Sequence, residues 1–383
     1  MKKKKNEMKK ILFLMDSLRD GGAEKILVDI LNNVKNAGYL IELKLIRLQG
    51  FHLNRIHPSI KLTYIRKEKR GLYASIIDYA ISRLGAKLLF KLFIHRKYDI
   101  AIAFMQGPST KIISGGPANM FKISWVHSDL QKNNWADSVY RNEKQHVDCY
   151  KRFRKIVCVS EGVRQAFVQR FGCSEKTIVC YNPIDIKSII RLSKLPIELN
   201  YCQEYTNIVS AGRFVEQKAF DRLIRIVERL INDSFKIRLY LLGCGKMENE
   251  LKEYVNNNLL NDSVYFLGYQ SNPYPYYRKA DIFIVSSIVE GYSTVATEAL
   301  ILGVPVIATN CAGMEELLGE SEFGFITDNS EEHLYEGIKH ILTHQDIREY
   351  YRKQALLRSN QLSHNINMER ISNLLFGALN GSV

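Results

Sequence analysis

The chain has 383 residues, too many for one small core and enough for two domains. Hydrophobic residues make up 46% and charged residues 25%, an ordinary globular composition that excludes a disordered or low-complexity protein. The formal charge of +14 is unevenly spread, with 37 Lys and Arg against 17 Asp and Glu in residues 1–200 and 17 against 23 in the rest.

The basic first half is therefore expected to face something anionic: a membrane surface, a phosphate-bearing acceptor or nucleic acid. It opens with the lysine-rich run Met1–Lys10, in which Met8 offers a second candidate start. The first strand, Ile11–Met15, has only five apolar residues before Asp16, shorter than a signal-peptide core. This run and Ile100–Met105 are also too short to span a bilayer, and cytoplasmic retention is expected. Gly21 and Gly22 follow, leading into the helical pattern Ala23–Asn36. Two glycines here permit positive φ and close approach of an anion to a helix N-terminus, and serve equally as a tight strand-to-helix turn.

Further strands are expected at Ile41–Arg47, Lys61–Ile65, Asp99–Met105, Ile123–His127, Ile156–Ser160 and Thr177–Tyr181, with helical patterns at Ala74–His95 and Asn142–Arg152. Ten Lys and Arg lie between Lys61 and Lys97, and from Leu84 onward they interleave with apolar residues. Such a stretch either lies on an anionic lipid surface or packs its apolar face on the sheet and exposes its lysines. Lys151, Arg152, Arg154 and Lys155 form a second basic cluster.

A polar stretch, Ser193–Thr206, interrupts the pattern and reads as the linker. Beyond it come strands Asn207–Ala211, Ile237–Gly243, Val264–Leu267, Asp281–Ser286 and Pro305–Ala308, with helices between, and Gln345–Leu379 reads as two helices. Strand–helix alternation implies parallel sheets with helices on both faces. The expected fold is α/β: two Rossmann-like doubly wound domains, 1–192 and 193–359, facing each other across a cleft. A terminal helix at about 360–383 is expected to pack back on the first.

No G-x-x-x-x-G-K-[ST] occurs, and Gly243-Cys-Gly245 lacks the third glycine at Glu248, which weakens an ATPase or dinucleotide reading. There is no Asp-x-Asp to hold a metal against a diphosphate, and the seven cysteines have no zinc spacing, so they are expected to be reduced structural thiols. A departing diphosphate would then need side-chain cations and backbone amides. Arg213 and Lys218, in the turn after strand Asn207–Ala211, supply a planar fork and a point charge, though a basic loop pair is also ordinary surface charge. The stretch Glu290-Gly291-Tyr-Ser293-Thr294-Val-Ala-Thr-Glu298 sets two carboxylates across a glycine turn and the start of a helix. Ser293 and Thr294 fall where helix-start amides and hydroxyls meet a phosphate, and Glu298 is placed to accept hydrogen bonds from ribose hydroxyls. The bland alternative makes Glu298 an exposed helix residue and Glu290 a loop acid.

Several motifs in order resemble the bacterial family 4 retaining glycosyltransferases, which have the GT-B fold. They are Gly21-Gly22, His127 in Trp-Val-His-Ser-Asp, Asn182-Pro-Ile-Asp185, Arg213 with Lys218, Leu267-Gly-Tyr269, Tyr276-Tyr277 before Asp281, the E-x7-E of Glu290 and Glu298, and Gly303-Val-Pro305-Val306. The resemblance covers nearly the whole chain. It implies that Arg213 and Lys218 hold the donor diphosphate, that Gly291, Ser293 and Thr294 adjoin the donor, and that Glu298 binds the ribose. It further implies that Tyr269 and Gln270 contact the base largely through backbone, and that Glu290 binds donor-sugar hydroxyls. His127 would contribute beside the sugar, and Gly22 would approach the donor phosphates or the acceptor. His127 is otherwise a core histidine, Tyr269 a strand cap, and Asn182-Pro183 a hinge turn. Where many relatives carry Phe-Gly or Phe-Pro after the first Glu-Gly, this chain has Tyr292-Ser293, which keeps a donor N–H and leaves donor choice open.

The function expected from this resemblance is transfer of a hexose or N-acetylhexosamine from a nucleoside-diphosphate sugar, UDP-linked by preference. The acceptor would be a lipid-linked or glycan molecule in cell-surface polysaccharide or glycolipid synthesis. No metal or other cofactor is expected, and the partners are the nucleotide sugar, the acceptor and an anionic membrane surface at the inner face of the cell membrane. Rival readings are a nucleotide-sugar epimerase or a phosphorylase of the same architecture, neither of which explains the basic half. A basic nucleic-acid-binding protein is the remote alternative, without zinc spacing, basic helix-turn-helix or RRM-type aromatic signature.

Overall fold

The computed structural model describes residues 8–19, 21–35, 38–67, 71–199 and 201–380. Expectations resting on 1–7 of the lysine run, Asp20 of the glycine loop, Lys69 and Arg70 of the basic segment, Asn200 of the linker and 381–383 lie outside these residues. The chain divides into two compact units, Met1–Pro183 with Asn365–Val383, and Ile184–His364.

The first unit runs β1 (Lys10–Met15), α1 (Gly22–Val34), β2 (Leu40–Leu48), β3 (Lys61–Lys67), α2 (Leu72–Arg83), α3 (Ala86–Phe93), β4 (Ile100–Ala103), α4 (Pro108–Ser114), β5 (Phe121–Val126), α5 (Glu143–Lys151), β6 (Lys155–Cys158), α6 (Glu161–Phe171) and β7 (Thr177–Val179). All seven strands pair in parallel, in the order β3-β2-β1-β4-β5-β6-β7. Central strand β1 is buried from Ile11 to Met15, which is why it reads as an unbroken apolar run rather than an alternating one. Asn142 and Ser160 cap α5 and α6 through their side chains, accepting from the amides of Gln145 and Val163.

The helical pattern Ala74–His95 folds as two helices instead of one. Leu84 is extended and Gly85 is the N-cap of α3, and the carbonyls left without helical partners at the end of α2 are taken up from outside. The buried Lys111 ammonium donates to the carbonyls of Ile81 (2.7 Å), Ser82 (3.1 Å) and Val139 (2.5 Å). Three carbonyl partners offset the desolvation that pulls its pKa down to about 8.

The second unit runs α7 (Ile186–Leu192), β8 (Thr206–Ala211), α8 (Phe220–Asn232), β9 (Ile237–Leu242), α9 (Glu248–Asn257), β10 (Val264–Gly268), α10 (Tyr274–Arg278), β11 (Ile282–Val285), α11 (Thr294–Ile301), β12 (Val306–Thr309), α12 (Met314–Leu318), β13 (Phe325–Thr327), α13 (Glu331–Thr343) and α14 (Gln345–Gln361). Its sheet is also parallel, in the order β10-β9-β8-β11-β12-β13. Leu223, Ile224, Val227 and Leu230 of α8 recur at helical spacing and join Leu334, Ile338 and Ile341 of α13 in one buried cluster.

The domain division and one strand differ from the sequence expectation. Helix α7 belongs to the second unit, so the division falls at Pro183 rather than after residue 192. The α7 end is tied down there by Asn272, whose amide donates to the Leu192 carbonyl at 3.0 Å, and by Arg278, which donates to the Ser193 hydroxyl. Strand β13, three residues long, is additional to the expected strands. A last helix, α15 (His364–Asn380), returns to the first unit and buries Met368, Ile371, Leu374, Leu375 and Ala378. Among the described residues no helix is long and apolar enough to cross a membrane.

Candidate active site

In a parallel sheet every strand ends on the same edge, and the crevice for a ligand opens where neighbouring crossovers leave in opposite directions. In the second unit that point lies between β8 and β11, because the chain winds from β8 through β9 to β10 on one side and places β11, β12 and β13 on the other. The loop after β8 carries Arg213 and Lys218, and the loop after β11 carries Glu290. Gly212 and Gly243 end β8 and β9 with φ of +154° and +144°, and a Cβ on Gly243 would lie 1.9 Å from the Gly212 carbonyl oxygen. Only glycine allows the two strand ends to meet so closely.

The two loops at the switch point are stitched together. Lys218 Nζ donates to Glu290 Oε1 at 2.5 Å, and the Ser287 hydroxyl donates to the same oxygen at 2.7 Å. The Ser286 hydroxyl donates to the Lys218 carbonyl at 2.9 Å, and the Ile288 amide to the Gln217 carbonyl at 2.8 Å. Beneath them the buried Arg222 guanidinium donates to the Ser286 and Ser287 carbonyls and to Asn329 Oδ1. Arg213 is half-buried, and among the described residues its guanidinium has neither an acid nor a hydrogen-bond acceptor. A guanidinium without a carboxylate partner, in the same loop as a held ammonium, has the chemistry to bind a diphosphate.

Helix α11 starts at Thr294, with Ser293 as an extended N-cap whose hydroxyl accepts from the Ala296 amide at 3.4 Å. The first-turn amides have no carbonyl within the helix and lie next to Gly291 at the same sheet edge. One turn on, Glu298 is buried, which rules out its reading as an exposed helix residue. The Tyr274 hydroxyl donates to Glu298 Oε1 at 3.4 Å. Tyr269 and Gln270 follow Gly268, which turns β10 off with φ +66°. Both ends of the Gln270 side chain are engaged, the amide donating to the Leu267 carbonyl at 2.6 Å and the carbonyl accepting from the Tyr276 hydroxyl at 3.4 Å.

His127 and Gly22 belong to the first unit, whose switch point lies between β1 and β4. His127 directly follows β5, and its Nε2 lies 2.9 Å from the Phe104 carbonyl, which fixes that nitrogen as the protonated one and leaves Nδ1 an acceptor. Burial pushes its pKa down to about 4, so the ring is neutral. The Gln106 side chain orients this segment, accepting from the His127 amide and donating to the Ser128 hydroxyl at 2.6 Å. At the end of β1 the Asp16 carboxylate accepts from the Ser109 hydroxyl at 2.7 Å, and burial pushes its pKa up to about 6. Gly22 opens α1, where a Cβ on Gly21 would strike the Glu24 carboxylate at 2.1 Å. That turn holds its own acid, which suits the tight-turn reading of the glycines better than a resident phosphate.

Asp137, Glu143 and His146 of the first unit converge as three metal-type ligands. Arg170 lies among them, at 2.7 Å from Asp137 and 2.9 Å from Glu143, and supplies the cation that these acids require.

Sequence reasoning missed Asp16, Arg222, Tyr274 and Ser287. Tyr274 had a signal in the aromatic run before Asp281. Arg222 had none, since one cation inside an amphipathic helix reads as a surface residue.

Residues 198–358 match the family model described as glycosyl transferases group 1. A similar protein of Campylobacter jejuni, 26% identical over 373 residues, covering 92% of this chain and 95% of its own, is N-acetylgalactosamine-N,N'-diacetylbacillosaminyl-diphospho-undecaprenol 4-alpha-N-acetylgalactosaminyltransferase. Another, 24% identical over 311 residues with 81% and 82% coverage, is a lipopolysaccharide core biosynthesis glycosyltransferase of Rhizobium meliloti. Among solved structures, Anabaena HepE in complex with UDP-glucose superposes with a TM-score of 0.74 at 19% identity, covering 96% of this chain and 99% of that one. Sucrose-phosphate synthase of Thermosynechococcus elongatus gives 0.73 at 16% identity, with 97% and 100% covered. The fold is GT-B.

Proposed function

We propose, from a second unit that matches the family model of glycosyl transferases group 1, that the chain is a retaining enzyme using a nucleoside-diphosphate sugar, UDP-linked by preference. It moves a hexose or N-acetylhexosamine to a lipid-linked or glycan acceptor in cell-surface polysaccharide or glycolipid synthesis, as a peripheral protein on the inner face of the cell membrane. The observation that carries this reading is the Lys218–Glu290 pair at the β8/β11 switch point, with the carboxylate-free Arg213 in the same loop. The Campylobacter relative, which acts on a diphospho-undecaprenol-linked sugar, supports the lipid-linked acceptor.

In this reading Arg213 and Lys218 take the charge that develops on the departing diphosphate, with the first-turn amides of α11 beside them. Glu298 accepts from the ribose hydroxyls, and Tyr269 and Gln270 offer backbone to the base, since the Gln270 side chain is spent internally. Glu290 does two things: it holds the Lys218 ammonium and offers its remaining oxygen to the donor sugar. Departure of the diphosphate leaves an oxocarbenium-like sugar, and the acceptor attacks from the same face while its proton passes to the leaving phosphate. Neutral His127 serves as a hydrogen-bond acceptor, not as an acid. The cationic side chains fill the role that a divalent ion would otherwise take.

The test is nucleoside diphosphate release from UDP-, GDP- and ADP-sugars, with and without polyprenyl-diphosphate-linked acceptors and with EDTA. Acceptor-dependent release that survives EDTA is the expected result. No release and no calorimetric binding with any donor would overturn the reading.

A further inference from the structure

The chain has two tryptophans, and they are placed oppositely. Trp125 lies within β5 and is sealed in the core, whereas Trp135, which opens a 3-10 turn at Trp135–Val139, is 40% exposed. A lone exposed apolar side chain is ordinary, but this one rests on a prepared support. The edge of its ring lies over Gly107, where φ is +86° and a Cβ would meet indole carbons at 3.1 and 3.2 Å. Glycine is thus required at that point of the β4–α4 turn both by the backbone and by the ring above it. The loop that carries the indole is pinned as well. The Ser128 hydroxyl accepts from Asn133 at 3.3 Å, Asp129 Oδ1 accepts from the Gln131 amide at 2.8 Å, and Arg170 donates to the Leu130 carbonyl. An aromatic plate held in this way loses little freedom when a ligand settles on it.

Further along the same turn, the Ser109 hydroxyl holds the Asp16 carboxylate at 2.7 Å. Asp16 is half-buried, and among the described residues it accepts hydrogen bonds from Ser109 alone. An ionised carboxylate accepts at about four positions, so most of that capacity is open. The Trp135 indole N–H, which among the described residues donates to no protein group, adds a donor at the rim of the plate. Gly107 and Asp16 both stand at the carboxyl edge of the first sheet, where parallel sheets open their ligand crevices. A flat apolar plate with a hydroxyl acceptor and an N–H donor near it matches a pyranose, whose faces present C–H bonds and whose rim presents hydroxyls. It does not match a phosphate, which the Asp16 carboxylate would repel, nor an acyl chain, which would leave that carboxylate unpaired in an apolar contact.

We propose that the β4–α4 turn of the first unit is a subsite for a neutral pyranose of the acceptor, which stacks on Trp135 and donates a hydroxyl to Asp16. The assignment of that sugar to the acceptor rests on the transferase reading above, whereas its binding is tested without any transfer. Because Trp125 is sealed, quenching of tryptophan emission by acrylamide reports Trp135. The probes are the methyl glycosides of glucose, galactose, N-acetylglucosamine and N-acetylgalactosamine, added to the full chain. At least one should reduce the quenching of Trp135 about twofold or more at saturation. Trp135→Ala and Asp16→Asn should each weaken its binding about tenfold by calorimetry, and Trp135→Phe should keep most of it. With a donor and a glycan acceptor that support transfer, Trp135→Ala should raise KM for the acceptor about tenfold and leave KM for the donor in place.

The proposal is overturned if no glycoside protects Trp135, or if glycoside binding is indifferent to either Trp135→Ala or Asp16→Asn. Protection by phosphatidylcholine vesicles and not by glycosides would overturn it by assigning the indole to a lipid surface. Protection that grows with protein concentration alone would do so by assigning it to a second copy. Glycoside binding that depends on both residues, with no nucleoside diphosphate release from any donor, would support the sugar subsite and overturn the transferase reading instead.

Discussion

Lys218 and Glu290, 72 positions apart in the chain, meet at 2.5 Å, and the carboxylate oxygen that accepts the ammonium also accepts the Ser287 hydroxyl. The ammonium is therefore held in place, and in the proposed reaction little reorganisation would be needed as charge develops on the leaving group. Lys218→Met should lower kcat about a hundredfold or more, and Glu290→Gln by a comparable factor. The double variant should lose far less than the product of the two, because each change disables the same pair. Steady-state kinetics of the three variants checks this, and multiplicative losses would separate the roles of the two residues.

Arg213 has a different sensitivity. Its guanidinium fork matches two phosphate oxygens, whereas a lysine supplies one point charge. Arg213→Ala should reduce kcat/KM about a hundredfold or more, and Arg213→Lys should recover only part of it. Full recovery by lysine would mean that charge alone matters at this position.

In the proposed function Glu298 binds the ribose and takes no part in the bond that breaks. Glu298→Gln should raise the KM for the donor more than it lowers kcat, the signature of binding that is equal in ground and transition states. The variant should also discriminate less against a 2′-deoxyribose donor than the native enzyme does. Unchanged discrimination would move the ribose contact elsewhere.

Acid titration gives a further check. His127, His52 and His146 are all pushed down to about 4 by burial, below the ordinary 6.5. The folded chain thus binds fewer protons at these rings than the unfolded chain does between about pH 6.5 and 4, so their contribution to stability falls as pH drops through that window. Asp16 runs the other way: its folded pKa of about 6 lies above its ordinary 3.8, and it gains stability on acidification between those values. Imidazole Cε1–H resonances of the three histidines should stay fixed from about pH 8 to 5. A His127 midpoint near 6.5 would mean that the ring is not sealed in its pocket.

Gly243→Ala should destabilise the second unit by about 3 kcal/mol or more, since it combines strain at positive φ with a collision against the Gly212 carbonyl. Thermal unfolding measures this. A Tm within a degree or so of the native value would show that the β8 and β9 ends can part easily.

Much of the architecture was legible because parallel strands buried on both faces are written as short continuous apolar runs, as Ile11–Met15 and Ile282–Val285 are. Strand β13 escaped because three residues, Phe325–Thr327, carry no periodicity. The break at Leu84 escaped because what stabilises it, the Lys111 ammonium on the α2 carbonyls, comes from a residue about thirty positions away. The candidate residues of the donor loops were legible as glycine turns and helix starts, which are local. Their partners were not: Ser287 under Glu290, Tyr274 against Glu298 and Arg222 under the β11 loop are set by tertiary packing, which spacing does not record.

The return of α15 to the first unit bears on how the chain is made. A ribosome delivers β1 through β7 first, then the whole of Ile184–His364, and only then the helix that covers the first unit with Ile371, Leu374 and Leu375. The second unit is an uninterrupted stretch and can fold as soon as it emerges, whereas the first waits with an apolar surface open until α15 has followed it. A fragment ending at Pro183 would keep that surface exposed, and a stop codon anywhere before residue 364 would damage the unit that was translated first.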